Sequence, residues 1–312
     1  MRLPALPVVS AAAAALLLAG CTSASQDLGS AGAAGSGSGA GSDEAATFDP
    51  SAVAVDEEVA ALVPEAVAAD GVLTVGSNLE YAPVDFVAAD GTTPVGLDID
   101  IVNALAATMG LEADVQSSTF DAIIPAVGSR YELGVSAFTI TAERLETVNM
   151  VSYFTAGSQL AVAAGNPDGV DPENLCGVTV GVQTGTVQQD ELEALTAACE
   201  ESGAEPIEVL PYDSQADVTT NLAGGKLQAM YADSPIVGYA VEQTGGTIEA
   251  LGEVRDAAPY GVVIAKDDTQ LAEAVRAGLQ KLMDDGTLAE IAEAWGSGEE
   301  VLTTAELNPS VG

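Results

Sequence analysis

Three short stretches of this sequence each end a run of small or apolar residues on a group suited to holding charge. "SAFTITAER" runs from Ser136 to Arg144, and Arg144 is one of only 8 basic residues set against 47 acidic ones. A guanidinium carries five donors in a fixed fork, which suits a carboxylate held by two parallel bonds. With so many acids available, an ordinary surface ion pair accounts for Arg144 equally well. "VGVQTGTVQQDEL" reads as a strand, a Thr-Gly-Thr turn and a helix start, with Gly185 and Thr186 in the turn. Backbone N–H groups at a helix start favour an anion, and simple capping by Thr184 or Thr186 is the plainer alternative. The stretch lacks the lysine of a phosphate-binding loop. "MYADSP" places Asp233 at the end of an apolar strand, before a proline that opens a helix. It is either an N-cap or a carboxylate for an ammonium group. Taken together, Arg144 and the turn want a carboxylate and Asp233 wants an ammonium. One small molecule carries both on adjacent atoms, an α-amino acid.

The surrounding pattern must bring these groups together. "VLTVG", "EADVQ" and "LGVSAF" read as strands. Between them, "VGLDIDIVNALAATMG" and "FDAIIPAVGS" read as helices, the first capped by Asp98 and stopped by Gly110, the second ending at Gly128. Ile101, Val102, Leu105 and Met109 share one face of that first helix. Residues Asp56 to Ala69 ahead of them read as a short helix or a loose lead-in. The alternation repeats downstream with "GVTVGVQ", "IEVLP", "LQAMYAD" and "YGVVIAK" as strands and three helices among them, before two closing helices. Strands alternating with helices define an α/β fold with a largely parallel sheet, in two comparable units. In open α/β sheets ligands bind outside the carboxyl ends of strands, where all three polar stretches fall.

Composition narrows the function further. The 312 residues suggest about two domains, and a formal charge of −39 repels nucleic acid and anionic lipid. The absence of histidine argues against the usual triads and most zinc sites, so neither a metal nor a cofactor is expected. "MRLPALPVVSAAAAALLLAGC" has Arg2 followed by an apolar core too short to anchor, and reads as an export signal over residues 1–20. Its ending "LAGC" resembles a lipobox, which makes Cys21 the lipidated first residue of the mature chain. A Gly/Ser/Ala-rich run then reads as a flexible tether over 21–55. The expected location is the extracytoplasmic face of the membrane. Cys176 and Cys199, an even pair in an exported chain, favour a disulfide over two buried thiols.

The chain resembles the bacterial extracellular solute-binding proteins of family 3, which serve polar amino acid ABC importers. The resemblance rests on "LTVGSNLEYAPVDF", "VGLDIDIVNALA", "FDAIIPAV", "FTITAER", "VGVQTGT", "YDSQADVTTNLAGGKLQAMYADSP", "PYGVVIAK" and "LMDDGTLAEIAEAWG", in that order and spacing. It implies a two-lobed, type II periplasmic-binding-protein-like fold, each lobe a mostly parallel sheet flanked by helices and the two joined by two hinge strands. Lobe one falls on 70–156 plus 256–300 and lobe two on 157–255. It implies that Arg144 holds the ligand α-carboxylate, that Thr139 also binds the ligand, that Gly185 and Thr186 supply the turn, and that Asp233 takes the α-amino group. Tyr81 and Phe120 match aromatic positions that pack on the ligand, although core packing explains them as well. Ala137 stands where the family often has Gly or Ser, so a hydroxyl contact is lost while the backbone contact to the ligand is kept. Asn78 stands where relatives that take basic amino acids have an aspartate, which weakens a lysine or arginine assignment. Glu80, close by, would restore a negative charge if it faced the pocket. Gln183 and Tyr260 complete the positions on which side-chain specificity depends. The implied partners are an amino acid ligand and a membrane permease, with the chain acting as a monomer. Two other readings stay open: an exported dehydratase-like enzyme of the same fold with Glu80 as its acid–base group, and a sensory or scaffold lipoprotein.

Overall fold

The structure is a computed structural model and describes residues 48–311. The export signal, Cys21 and residues 21–47 of the expected tether lie outside the described residues. Residues 48–55, expected as the end of that tether, lie against the fold. Phe48 packs on the core and its N–H donates to Asp100 at 3.2 Å. The expected lead-in is two short helices, α1 (Glu57–Ala60) and α2 (Glu65–Ala68), which bury Val59 and Val67.

The first lobe opens with β1 (Val72–Ser77), an apolar strand, and a small antiparallel sheet of β2 (Glu80–Tyr81), β3 (Asp85–Val87) and β4 (Pro94–Val95) that the sequence pattern did not reveal. Helix α3 (Leu97–Met109) follows. Its start corrects the sequence reading: the cap is Gly96 at φ 135°, where a Cβ would meet the Val84 carbonyl oxygen at 2.1 Å. Asp98 is buried inside the first turn and is used elsewhere. Gly110 at φ 76° ends the helix as read from sequence. Strand β5 (Glu112–Ser117) and helix α4 (Phe120–Ala126) come next, the helix stopping two residues before Gly128. The strand expected over "LGVSAF" pairs only at Leu133–Gly134 (β6). Ala137 then turns the chain out of the sheet at φ 51°, an uncommon conformation for a residue with a Cβ. Helix α5 (Ala142–Thr147), capped by Thr141, carries Arg144.

Two long strands dominate the middle. β7 (Val148–Ala163) had no signal in the sequence reading. It leads to β8 (Thr179–Gln183), α6 (Val187–Ser202), β9 (Glu208–Tyr212), α7 (Gln215–Ala223), β10 (Ala229–Asp233) and α8 (Ser234–Gln243), the second lobe. β11 (Ile248–Ala265) returns, more than twice the length of the expected "YGVVIAK" strand, to the closing helices α9 (Thr269–Asp284) and α10 (Thr287–Ala294). The strand order is β5-β1-β6-β11-β7-β10-β8-β9. β1 pairs in parallel with β5 and β6 in one lobe, and β8 with β9 and β10 in the other. β7 and β11 run antiparallel between these groups and join the lobes, so the sheet is mixed.

β7 and β11 change register between Leu251 and Arg255, between Arg255 and Ala258 and between Tyr260 and Gly261. Where the two strands run side by side there, a Cβ on Gly157 would lie 2.4 Å from the Arg255 carbonyl oxygen. The tail also reaches this strand pair: Leu307 bridges to Val151 and Val301 to Phe154. Core residues cover both sheet faces. Leu73, Val75, Leu105, Val275 and Leu279 fill the first lobe; Leu160, Val180 and Leu192 fill the second, beside the disulfide formed by Cys176 and Cys199. Among the described residues no helix is long and apolar enough to cross a membrane.

Candidate functional site

The ends of β6, β8 and β10 meet at one cleft between the lobes. Arg144, Asp233, Thr186, Thr139, Ala137, Tyr81 and Phe120, all singled out from sequence, line a single cavity there, together with Val187 and Gln188. It encloses about 10 Å³, room for about one water molecule, so the lobes must part to admit anything larger.

Arg144 is held almost entirely by neutral groups. Its Nη1 donates to the Thr139 carbonyl at 2.8 Å, and its Nη2 crosses the cleft to the Gly185 carbonyl at 3.1 Å. Its guanidinium carbon lies 5.6 Å from the ring centroids of both Phe120 and Phe138, which stack on each other at 4.6 Å. Burial pulls the guanidinium below its ordinary range, while Asp190 and then Asp233 act the other way. The ion pairs of the described residues, such as Arg276 with Glu273 and Lys281 with Asp285, are elsewhere on the surface. The carbonyls leave guanidinium N–H capacity and a full charge for an anion.

Asp233 sits opposite and is 5% exposed. It begins α8 without making a side-chain capping bond, which removes the plainer reading of it. Its oxygens accept from the Tyr81 hydroxyl of the other lobe at 2.7 Å and from Gln188 Nε2 at 2.8 Å. The Tyr260 hydroxyl faces the same carboxylate without reaching hydrogen-bond geometry. Burial raises the Asp233 carboxyl above its usual range, and the bonds from tyrosine and glutamine oppose that rise.

The Gly185–Thr186 turn differs from its sequence reading. The Gly185 N–H is taken by Gln189 Oε1 at 2.8 Å, so this amide is not free for an anion; the turn faces Arg144 through its carbonyl. Gly185 has φ 79°, which explains the glycine. Thr186 caps α6 through its hydroxyl and also donates to the Gln183 carbonyl at 2.8 Å. Asn78 does not line the cavity. It spans the cleft behind it, accepting from Gln183 Nε2 at 3.1 Å. Glu80 lies on a neighbouring interlobe cavity instead, away from the position an acid–base group would need.

A buried acidic layer supports the floor, and the sequence reading missed it. Asp98 accepts from the Ala137 N–H at 2.7 Å and from the Tyr153 hydroxyl of β7 at 2.6 Å, which fixes the turn that presents Thr139. Asp85 accepts from Ser77 at 2.8 Å and from Ser136 at 3.2 Å. Burial pushes the Asp98 carboxyl up to about 6, against the bonds from Tyr153 and Ala137. Burial, and then the neighbouring Asp98, raises Asp85 further. The signal available in sequence was two acids, Asp98 and Asp100, in the first turn of a mostly apolar helix. Among the described residues no cluster of His, Cys, Asp and Glu has the arrangement to hold a metal ion.

Fold and site together define a two-lobed protein whose interlobe cleft carries opposite charges on opposite walls. The chain belongs to the bacterial extracellular solute-binding proteins, family 3, whose sequence profile matches residues 73–298. It is 38% identical to the arginine-binding protein ArgT of Corynebacterium glutamicum over 80% of this chain and 83% of that one. It is 28% identical to a probable ABC transporter arginine-binding protein, ArtJ of Chlamydia trachomatis, over 71% of this chain and 84% of that one. An ancestral arginine-binding protein bound to arginine superposes with a TM-score of 0.67 at 29% identity, covering 72% of this chain and 98% of that one.

Proposed function

We propose that this protein captures a free α-amino acid between its lobes and passes it to an ABC importer. The α-carboxylate takes the outward N–H groups of Arg144, and the α-ammonium takes Asp233. The observation that carries this is the half-buried Arg144, held by two carbonyls and two ring faces, across the cleft from a buried Asp233. A zwitterion satisfies both charges at once and draws the two lobes together. Tyr81 and Phe120 would flank its side chain, with Thr139, Ala137 and the Gly185–Thr186 turn contributing backbone and hydroxyl contacts.

In this reading lobe one is 70–156 plus 256–300 and lobe two is 157–255. The register change of β7 and β11 between Leu251 and Ala258 supports a boundary there. The chain works as a monomer on the outer face of the membrane, tethered by a lipid on Cys21, a reading supported by its leader sequence. The names of its relatives make arginine the first amino acid to try. Simple binding accounts for the site better than an enzyme does, because Glu80 stands on a different cavity. Calorimetric titration with the common amino acids tests this: at least one should bind, and Arg144→Ala should weaken it at least a hundredfold, about 3 kcal/mol. Binding that survives Arg144→Ala unchanged refutes the clamp.

A further inference from the structure

A cavity of about 230 Å³ lies away from the cleft, beside α6 of the second lobe. Its lining runs from Leu160 of β7 to Arg255 of β11 and shares no residue with the clamp cavity. The first lobe contributes nothing to it, so it is complete whether the lobes stand open or closed. Leu160, Leu175 and Ile207, all buried, form an apolar floor with the disulfide of Cys176 and Cys199. Leu195 of α6 lies against the same space and is 38% exposed, an unusual place for a large apolar side chain.

The polar groups on this floor are unequally satisfied. The Tyr231 hydroxyl donates to Glu191 at 2.8 Å, which pairs the two. Arg255 engages only Nη2, which donates to the Pro172 carbonyl at 2.9 Å and to the Glu173 carboxylate. Its Nε and Nη1 make no hydrogen bond among the described residues. A guanidinium fork can hold a carboxylate by two parallel bonds, and Glu173 uses one edge of it. The Glu173 side chain is 80% exposed, and an ion pair so open to water is weak. Glu173 thus shows that a carboxylate fits at Arg255, and it is free to swing away into solvent.

We propose that this cavity is a second ligand site, for a small monocarboxylate with a branched apolar body. Arg255 takes the carboxylate in place of Glu173, and the body lies on Leu160, Leu175, Ile207 and the disulfide. A cation at the edge of an apolar floor matches the two parts of such a molecule. Glu173 and Glu191 on the lining, within a chain of net charge −39, disfavour a second negative charge on the ligand. The volume falls below that of drug-sized ligand pockets and leaves no room for a peptide. The site stands apart from the clamp and holds whether or not Arg144 and Asp233 take an amino acid.

NMR titration of the full chain with 4-methylpentanoate tests it, with acetate and 4-methylpentan-1-ol as the probes that lack the body and the charge. Wild type should bind 4-methylpentanoate with a Kd of about 1 mM or tighter, and each control about tenfold or more weakly. Arg255→Gln should weaken 4-methylpentanoate about tenfold. Glu173→Gln removes the competing carboxylate and should tighten it about threefold, an effect that a merely structural role for Glu173 would not produce. Neither side chain is buried, so both variants keep the core intact. Arg144→Ala should leave the binding unaltered. No binding by about 10 mM, equal binding of the alcohol, or unchanged affinity in Arg255→Gln overturns the proposal. Weaker binding in Glu173→Gln overturns it as well, because Glu173 would then be no competitor. Loss of binding in Arg144→Ala puts the carboxylate in the clamp and overturns the second site while leaving the first.

Discussion

Arg144 and Asp233 carry opposite charges, yet each is bonded within its own lobe and across the cleft. Arg144 holds Thr139 on its own side and Gly185 on the other. Asp233 holds Gln188 on its own side and Tyr81 on the other. The difference lies in the kind of partner. Arg144 leans on backbone carbonyls, which no substitution removes, whereas Asp233 leans on side chains. In the proposed clamp the carboxylate-binding end therefore depends on neighbouring side chains only through the Phe120 and Phe138 rings, and the ammonium-binding end is open to adjustment by residue type. Both arrangements avoid a charged partner, because a pre-formed ion pair would neutralise the charge that a ligand has to meet.

Asp233→Asn tests the adjustable end most directly. It keeps the shape and removes the charge, and should weaken amino acid binding between about tenfold and about a hundredfold, measured by calorimetry. A loss of less than about threefold would make the two ends unequal in kind, with Arg144 alone holding the ligand.

The layer beneath responds to pH. Asp98 rises from 3.8 to about 6 on folding, so the folded state holds its proton more tightly than the unfolded chain. The stability that proton contributes is complete below pH about 4 and is lost as pH rises through about 6. In urea melts from pH 4 to 7, wild type should lose on the order of 2 kcal/mol relative to Asp98→Asn. Parallel pH profiles for the two proteins would remove Asp98 as the titrating group.

The smallest effect belongs to the surface. Arg276 pairs with Glu273 at 2.8 Å, but both are well exposed. Arg276→Ala should change stability by less than about 0.5 kcal/mol and leave binding unaltered. A larger change would mean that this surface ion pair matters as much as the contacts that hold Arg144.

Much of this was legible in the sequence because it lay in local signals. Strand-end polar groups such as Arg144 and Asp233, a glycine at Gly110 and apolar runs such as β1 each depend on a few adjacent residues. Asp98 was misread for the same reason: at the second residue of a helix an acid looks like a cap, and only the folded chain brings Ala137 and Tyr153 to it. β7 left no trace because its near-continuous burial gives no alternation to detect. The short strand β6 fails for a related reason, since Ala137 in a left-handed conformation is held there by a distant carboxylate. The place of Glu80 depended on which way a two-residue strand faces, and the sequence does not carry that.

The crossing at Gly157 has a mechanical consequence. Two connecting strands touch there backbone to backbone, with space for hydrogen and nothing more. A single methyl group at this point would act as a wedge near the pivot, where a small displacement turns into a large one at the jaws. In the proposed binding cycle, the width of the open mouth, and with it the rate at which cargo enters and leaves, would thus depend partly on a residue that never meets the cargo.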